Sequence, residues 1–94
     1  MRITGIVWLE QIVEKLWHKH QVQQDEVEEV LANSPHFRFV EKGLRKGEDV
    51  YAALGQNDGG RFLIVYFIGN NDGQALILSA RDMSQPERRR YESR

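Results

Sequence analysis

The chain contains no cysteine and only two prolines. Without cysteine there are no disulfides and no thiolate zinc sites, which suits a reducing compartment and sets the expected location as the cytoplasm. Long hydrophobic runs are also missing. The best one, "FLIVYFIG" (62–69), falls far short of the ~20 apolar residues that cross a bilayer. The opening stretch, "MRITGIVWLEQIVEKLW", is too charged and too short in apolar run for a secretion signal, so no membrane partner is expected. Nor does one sign of charge dominate: 13 Lys and Arg against 14 Asp and Glu leave a formal net charge of -1. That balance argues against a DNA-binding subunit in its own right, because phosphate contacts dominate DNA affinity.

What is present fits one small domain over residues 1–94. Apolar residues make up 40% of the chain and charged residues 29%, an ordinary globular mixture. A chain this short buries only roughly 60–65% of its unfolded surface, so its core is thin. The charges are segregated: "DEVEEV" (25–30) is acidic, whereas "KGLRKG" (42–47) and "ERRRYESR" (87–94) are mainly basic.

Periodicity gives the order β-α-α-β-β-β-β-α. "ITGIVWL" (3–9) is short and β-branched, as an edge strand would be. Leu9, Ile12, Val13, Leu16, Trp17 and His20 then recur at helical spacing. Val27, Val30 and Leu31 form the apolar side of a second helix, whose first turn holds Asp25 and Glu26 and which "NSP" (33–35) ends. Four strands follow: 36–41, 50–56, 61–69 and 74–80. "NDGG" (57–60) and "NNDG" (70–73) are the hairpin turns around the third. Ser84, Pro86 and Glu87 make a capping box that starts a helix over 85–92. The expected fold is α+β: an antiparallel sheet of four to five strands, two N-terminal helices and one C-terminal helix, packed mainly on one face.

Candidate chemistry starts with His20, on the apolar stripe at the last turn of the first helix. A helix C-terminus favours an imidazolium, which makes His20 a candidate for proton transfer, against the plain alternative of a half-buried capping residue. A metal site at "HKH" (18–20) is not expected, since residues two apart on a helix diverge and His36 stands alone. Arg61 opens the central strand and Arg81 closes the last one. In a hairpin their ends lie side by side, so an anion between them, a phosphate or one of Glu48, Asp49 and Asp82, is expected to relieve their repulsion. The plain alternative is two solvated strand-end arginines with local carboxylates. "RRR" (88–90) fans over about 200° of a helix and is mostly solvated; Arg88 and Tyr91 share a face, with Tyr91 either packing on the sheet or turned to a site.

Taken together, the residues resemble the BrnT family, toxins of bacterial type II toxin–antitoxin pairs. The likeness runs over nearly the whole chain: Trp8, then "KH" (19–20) and Val22, "DEVEEVL" before a proline-ended helix, "GEDVYAALGQ" before a hairpin, Arg61, and "SARDM" leading to "ERRRY". The chain departs from the pattern at Leu9 and Ile12, where many members carry aspartate and lysine, and at Gln21, where glycine is usual. The resemblance implies a RelE-like ribonuclease fold and a cytoplasmic endoribonuclease that uses no metal or other cofactor. It also implies inhibition by a BrnA-type antitoxin, in a complex that binds operator DNA. Metal-free RNA cleavage needs a base for the 2′-hydroxyl, cations for the phosphate and an acid for the leaving oxygen. Under that reading Arg61 and Arg81 hold the phosphate and His20 moves a proton. Glu48 serves as base or orients an arginine, while Lys19, Arg88 and Tyr91 contact the RNA. The rival reading, suggested by Leu9 and Ile12, is a catalytically silent module that only partners a DNA-binding antitoxin.

Overall fold

The computed structural model describes all of residues 1–94. Its elements follow the expected order: β1 (Gly5–Val7), α1 (Glu10–His20), α2 (Gln24–Ala32), β2 (His36–Glu41), β3 (Asp49–Gln56), β4 (Phe62–Gly69), β5 (Gln74–Asp82) and α3 (Gln85–Glu92). The strands form one five-stranded sheet in the order β1-β5-β4-β3-β2. The sheet is mixed, not wholly antiparallel as expected: β1 pairs with β5 in parallel, Gly5 opposite Gln74 and Val7 opposite Leu76. A parallel partner is what this connectivity allows, because α1 leaves the end of β1 and packs along β5. No helix is long and apolar enough to cross a membrane.

Both glycine turns form where the sequence places them. The Gly60 N–H donates to the Asn57 carbonyl and the Gly73 N–H to the Asn70 carbonyl. Both glycines have positive φ, 90° and 83°, a region that side chains with a Cβ rarely enter. The strands between them alternate, and the alternation feeds two cores. On one face Ala53, Leu63, Val65, Phe67, Ala75, Ile77 and Ala80 pack under Leu16 of α1 and Val27 and Val30 of α2. On the other, Ala52, Leu54 and Ile64 pack with Tyr91 of α3, flanked by Phe62, Tyr66 and Met83. The helices are therefore divided, two over one face and one over the other. Trp17, assigned to the buried stripe of α1 by spacing, is 50% exposed, and Phe39 is 53% exposed on the edge strand.

One irregularity sets the site. Near the second turn Phe67 lies opposite Ile77, but one step farther Tyr66 lies opposite Ser79. Leu78 is an extra residue in β5, a β-bulge, and it moves every later residue of β5 to the other face relative to β4. Arg81 thus lies opposite Ile64, and Asp82 opposite Leu63.

Candidate active site

Four elements end together at one rim of the sheet: the C-terminus of α1, the starts of β4 and α3, and the end of β5. Of the residues singled out from sequence, His20, Arg61, Arg81 and Arg88 gather around this rim. They do not point the same way. Paired residues of an antiparallel ladder project to one face. Arg81 therefore shares the α3 face with Ile64, and Arg61 shares the α1/α2 face with Leu63 and Asp82.

Arg61 is fully engaged. Its Nε donates to Asp82 Oδ1 at 2.8 Å and Nη2 to Asp82 Oδ2 at 3.2 Å. Nη1 donates to the Gln21 carbonyl at 2.8 Å and to Glu26 at 3.2 and 3.3 Å, and Nη2 also donates to the His20 carbonyl at 3.2 Å. A guanidinium carries five N–H donors, and each one here has an acceptor. Two of those acceptors are carbonyls that the end of a helix leaves without partners. Arg61 therefore fastens the end of α1 to the starts of α2 and β4 and to the end of β5. Of the anions expected beside Arg61 and Arg81, Asp82 is the one that binds Arg61, joined there by Glu26. The hydrogen bonds to Asp82 raise the pKa of Arg61. In return, the Asp82 carboxyl is held below its usual range by that hydrogen bond and by the charge of Arg61, with a smaller effect from the charge of nearby His20.

Arg81 is held differently. Glu87 grips it bidentately, Nη1 to Oε1 at 2.8 Å and Nη2 to Oε2 at 2.9 Å. Nη1 also donates to the Asp82 carbonyl at 3.1 Å and Nη2 to the Tyr66 hydroxyl at 3.3 Å. The Nε–H has no acceptor within the protein, and the side chain is 35% exposed. Glu87 also completes the expected capping box: its Oε1 accepts from the Ser84 N–H at 2.8 Å, and its own N–H donates to Ser84 Oγ at 3.3 Å. The hydrogen bonds from Arg81, with those from Ser84, pull its pKa down to about 2. A charged arginine is thereby fixed on a helix start with one donor open.

His20 is half-buried at the last turn of α1, with exposed Lys19 beside it. Gln21 follows in the left-handed region, φ 52°, so the usual glycine position of the resemblance is a place where glycine suits the backbone. Arg88 lies over the ring of Phe62, its Cζ 3.9 Å from the centroid, and pairs with Glu92 at 3.5 Å. Tyr91 packs back on the sheet, 6% exposed and edge-to-face on Phe62 at 5.9 Å. Of the two expected arrangements, Tyr91 takes the one packed on the sheet, within the second core.

Glu48 falls outside this group. It precedes Asp49, which pairs with Gly69 at the far end of the sheet, whereas Arg61 adjoins the Gln56–Phe62 pair. At about 3.3 Å per residue, β3 separates the two by roughly 25 Å. Glu48 instead borders a cavity of about 220 Å³ with Val7, Ile68, Asn70, Gln74 and Leu76. The expectation that it acts as base or orients an arginine is corrected: loop and strand ends that follow one another in sequence sit at opposite rims. No three histidine or carboxylate side chains converge as a metal site would require. Tyr66 and Glu26 were missed from sequence. Nothing in an apolar strand marks Tyr66, whereas Glu26 had a detectable signal, three residues after Gln23 at a helix start. Its Oε1 accepts from the Gln23 N–H at 2.9 Å.

A model of the "Ribonuclease toxin, BrnT, of type II toxin-antitoxin system" family matches residues 8–87. Among solved structures, the 1.1 Å crystal structure of the Brucella abortus ribonuclease toxin BrnT superposes with a TM-score of 0.63 at 21% identity, covering 87% of this chain and 99% of that one. No curated protein matches. The structural likeness supports the fold, and the family match spans Trp8, both strand-end arginines and the capping box of α3. The chain belongs to the BrnT family of ribonuclease toxins of type II toxin–antitoxin systems.

Proposed function

We propose that this chain is an endoribonuclease toxin that cleaves RNA without a metal, by attack of the 2′-hydroxyl on the adjacent phosphate. The bond from O2′ to phosphorus forms and the bond to O5′ breaks, leaving a 2′,3′-cyclic phosphate and a 5′-hydroxyl. The 2′-hydroxyl supplies the nucleophile, which makes RNA and not DNA the substrate. The observation that carries the reading is the double use of Asp82. Its carbonyl accepts from Arg81 on one side of the rim, and its carboxylate binds Arg61 on the other, where Arg61 also holds the His20 carbonyl. Arg81, already charged and fixed by Glu87, meets the developing phosphate charge without reorganising, usually the largest contribution to such catalysis. His20 is assigned the proton transfer, a contribution of about 10²–10⁴-fold. Lys19 and Arg88 hold flanking RNA, Arg61 positions the end of α1, and Glu48 and Tyr91 take no part in the chemistry.

A cognate protein antitoxin of BrnA type neutralises the toxin in the cytoplasm, and the complex binds operator DNA to repress its own operon. The test is growth arrest on induction, relieved by Arg81→Ala and by His20→Ala, with purified protein cutting RNA in chelator. If wild-type expression is harmless and RNA stays intact, the ribonuclease reading fails. The second reading, a silent partner of the antitoxin, then holds; Leu9 at the exposed start of α1, Ile12 packed against the core and the full engagement of Arg61 all favour it.

A further inference from the structure

The α3 face of the sheet is covered by its helix at only one end. At the margin of that cover, one row of paired residues crosses four strands: Arg38 of β2 opposite Ala52 of β3, Ala52 opposite Tyr66 of β4, and Tyr66 opposite Ser79 of β5. Ala52 is fully covered, in the same core to which Tyr66 contributes. Arg38 is half-buried, yet its guanidinium belongs to none of the four ion pairs in the molecule. It contrasts with Arg61 and Arg81, the other arginines of the strand rims, which both grip carboxylates. Across the row, the Tyr66 hydroxyl accepts one hydrogen bond, from Arg81, and keeps its own proton to donate. The Arg81 guanidinium leans over the Tyr66 ring at 5.9 Å and keeps its Nε–H open.

We propose that this row is a phosphodiester-binding track, in which Arg38 takes a phosphate of the RNA strand beyond the one held at the Arg81 rim. The inference rests on the ribonuclease reading and deepens it by giving the substrate a direction: from the end of β5, over Tyr66, towards the edge strand β2. Neighbouring strands are about 4.8 Å apart, so Arg38 stands about 10 Å from the Tyr66 backbone. The two arginines therefore address different phosphates. An unpaired guanidinium matches a phosphate bidentately, and the Tyr66 hydroxyl and the Ser79 hydroxyl, both without acceptors inside the protein, supply donors between them. The slight net negative charge of the chain makes this local: affinity for RNA depends on a few placed cations, not on a general field.

The test measures binding of a 2′-O-methyl oligoribonucleotide, which cannot supply the nucleophile, to the full chain at several salt concentrations. Arg38→Gln keeps a polar, though shorter, side chain and removes the charge; Arg38→Lys keeps the charge. The glutamine variant is expected to bind about tenfold more weakly, with the slope of log affinity against log salt shallower by about 0.7, the loss of one single-strand phosphate contact. The lysine variant is expected to restore the slope. Against natural RNA, Arg38→Gln is expected to raise KM and leave kcat unchanged. Wild-type affinity and slope in Arg38→Gln overturn the track, and so does a variant that binds RNA normally but loses affinity for an acidic protein antitoxin. If wild type shows Arg38-dependent binding yet cleaves nothing, the track stands and the ribonuclease reading falls. If wild type cleaves and KM in Arg38→Gln is unchanged, the track falls and the ribonuclease reading stands.

Discussion

Arg61 and Arg81 stand at the same rim of adjacent strands and project to opposite faces of the sheet. Each grips the third-position glutamate of a helix: Arg61 binds Glu26 of α2, and Arg81 binds Glu87 of α3. Both glutamates also accept from the backbone N–H three residues earlier. The two helices on opposite faces are thus moored to one end of the sheet by the same device, an arginine at a strand end and a capping carboxylate. The two differ in the donors they leave free. Arg61 spends every donor inside the protein, and Arg81 keeps one.

Arg61→Ala is expected to destabilise the fold by about 2 kcal/mol, since several charge-assisted hydrogen bonds go and two carboxylates lose their partner; partial exposure keeps the cost below that of a fully buried pair. For a domain of this size that lowers Tm by roughly 8–16 °C. Arg61→Lys is expected to recover little, because a lysine head cannot span Asp82, Glu26 and two carbonyls. Arg81→Ala, by contrast, is expected to abolish toxicity at a smaller cost in Tm. Thermal melts beside induction assays separate the two; equal melting temperatures for Arg61→Ala and wild type would remove the mooring role.

Much of this was legible in the sequence. The glycine turns marked both hairpins around β4. Ser84 and Glu87 marked the start of α3, and the 3.6-residue period placed α1 and α2. The relation between Arg61 and Arg81 was not legible, and the reason is a single residue. Had the register near Asn70 to Gly73 continued, Arg81 would lie opposite Leu63 and share the face of Arg61. Leu78 is inserted, and the phase flips. Leu, Ile and Ala all suit either face of a strand covered on both sides, so the pattern "QALILSA" contains no mark of the bulge. The parallel pairing of β1 was hidden for a similar reason: three residues carry no register signal.

Glu87→Gln tests the carboxylate that joins Arg81 to the cap of α3. The folded-state pKa of Glu87 is about 2, below its ordinary value of 4.5. Its contribution to stability is therefore complete above about pH 4.5 and disappears as pH falls to about 2. At pH 7 the variant is expected to be less stable than wild type by about 1–2 kcal/mol, and the gap is expected to close progressively below pH 4.5. Urea melts at a series of pH values check this; a gap independent of pH would mean that charge is not what Glu87 contributes.

Glu48→Gln is expected to change RNA cleavage by less than twofold. The residue lies at the rim opposite Arg61, and no proton can pass over roughly 25 Å of β3. A large fall in kcat for a variant with wild-type Tm would mean that the reaction takes place at the other end of the sheet.

Gln21→Gly tests the end of α1 without touching charge. Gln21 holds a left-handed conformation, φ 52°, which costs a residue with a Cβ roughly 1–2 kcal/mol. Its side chain offsets part of this by donating to the carbonyls of Trp17 and His18, at 3.4 and 3.2 Å. Glycine removes both effects, and a net gain of about 0.5 kcal/mol is expected, a rise in Tm of about 2–4 °C. The backbone of His20 and Gln21 stays clamped by Arg61 in the variant, so cleavage is expected to persist. A drop in activity with raised stability would show instead that the strained turn, and not only the arginine, sets the direction of the His20 ring.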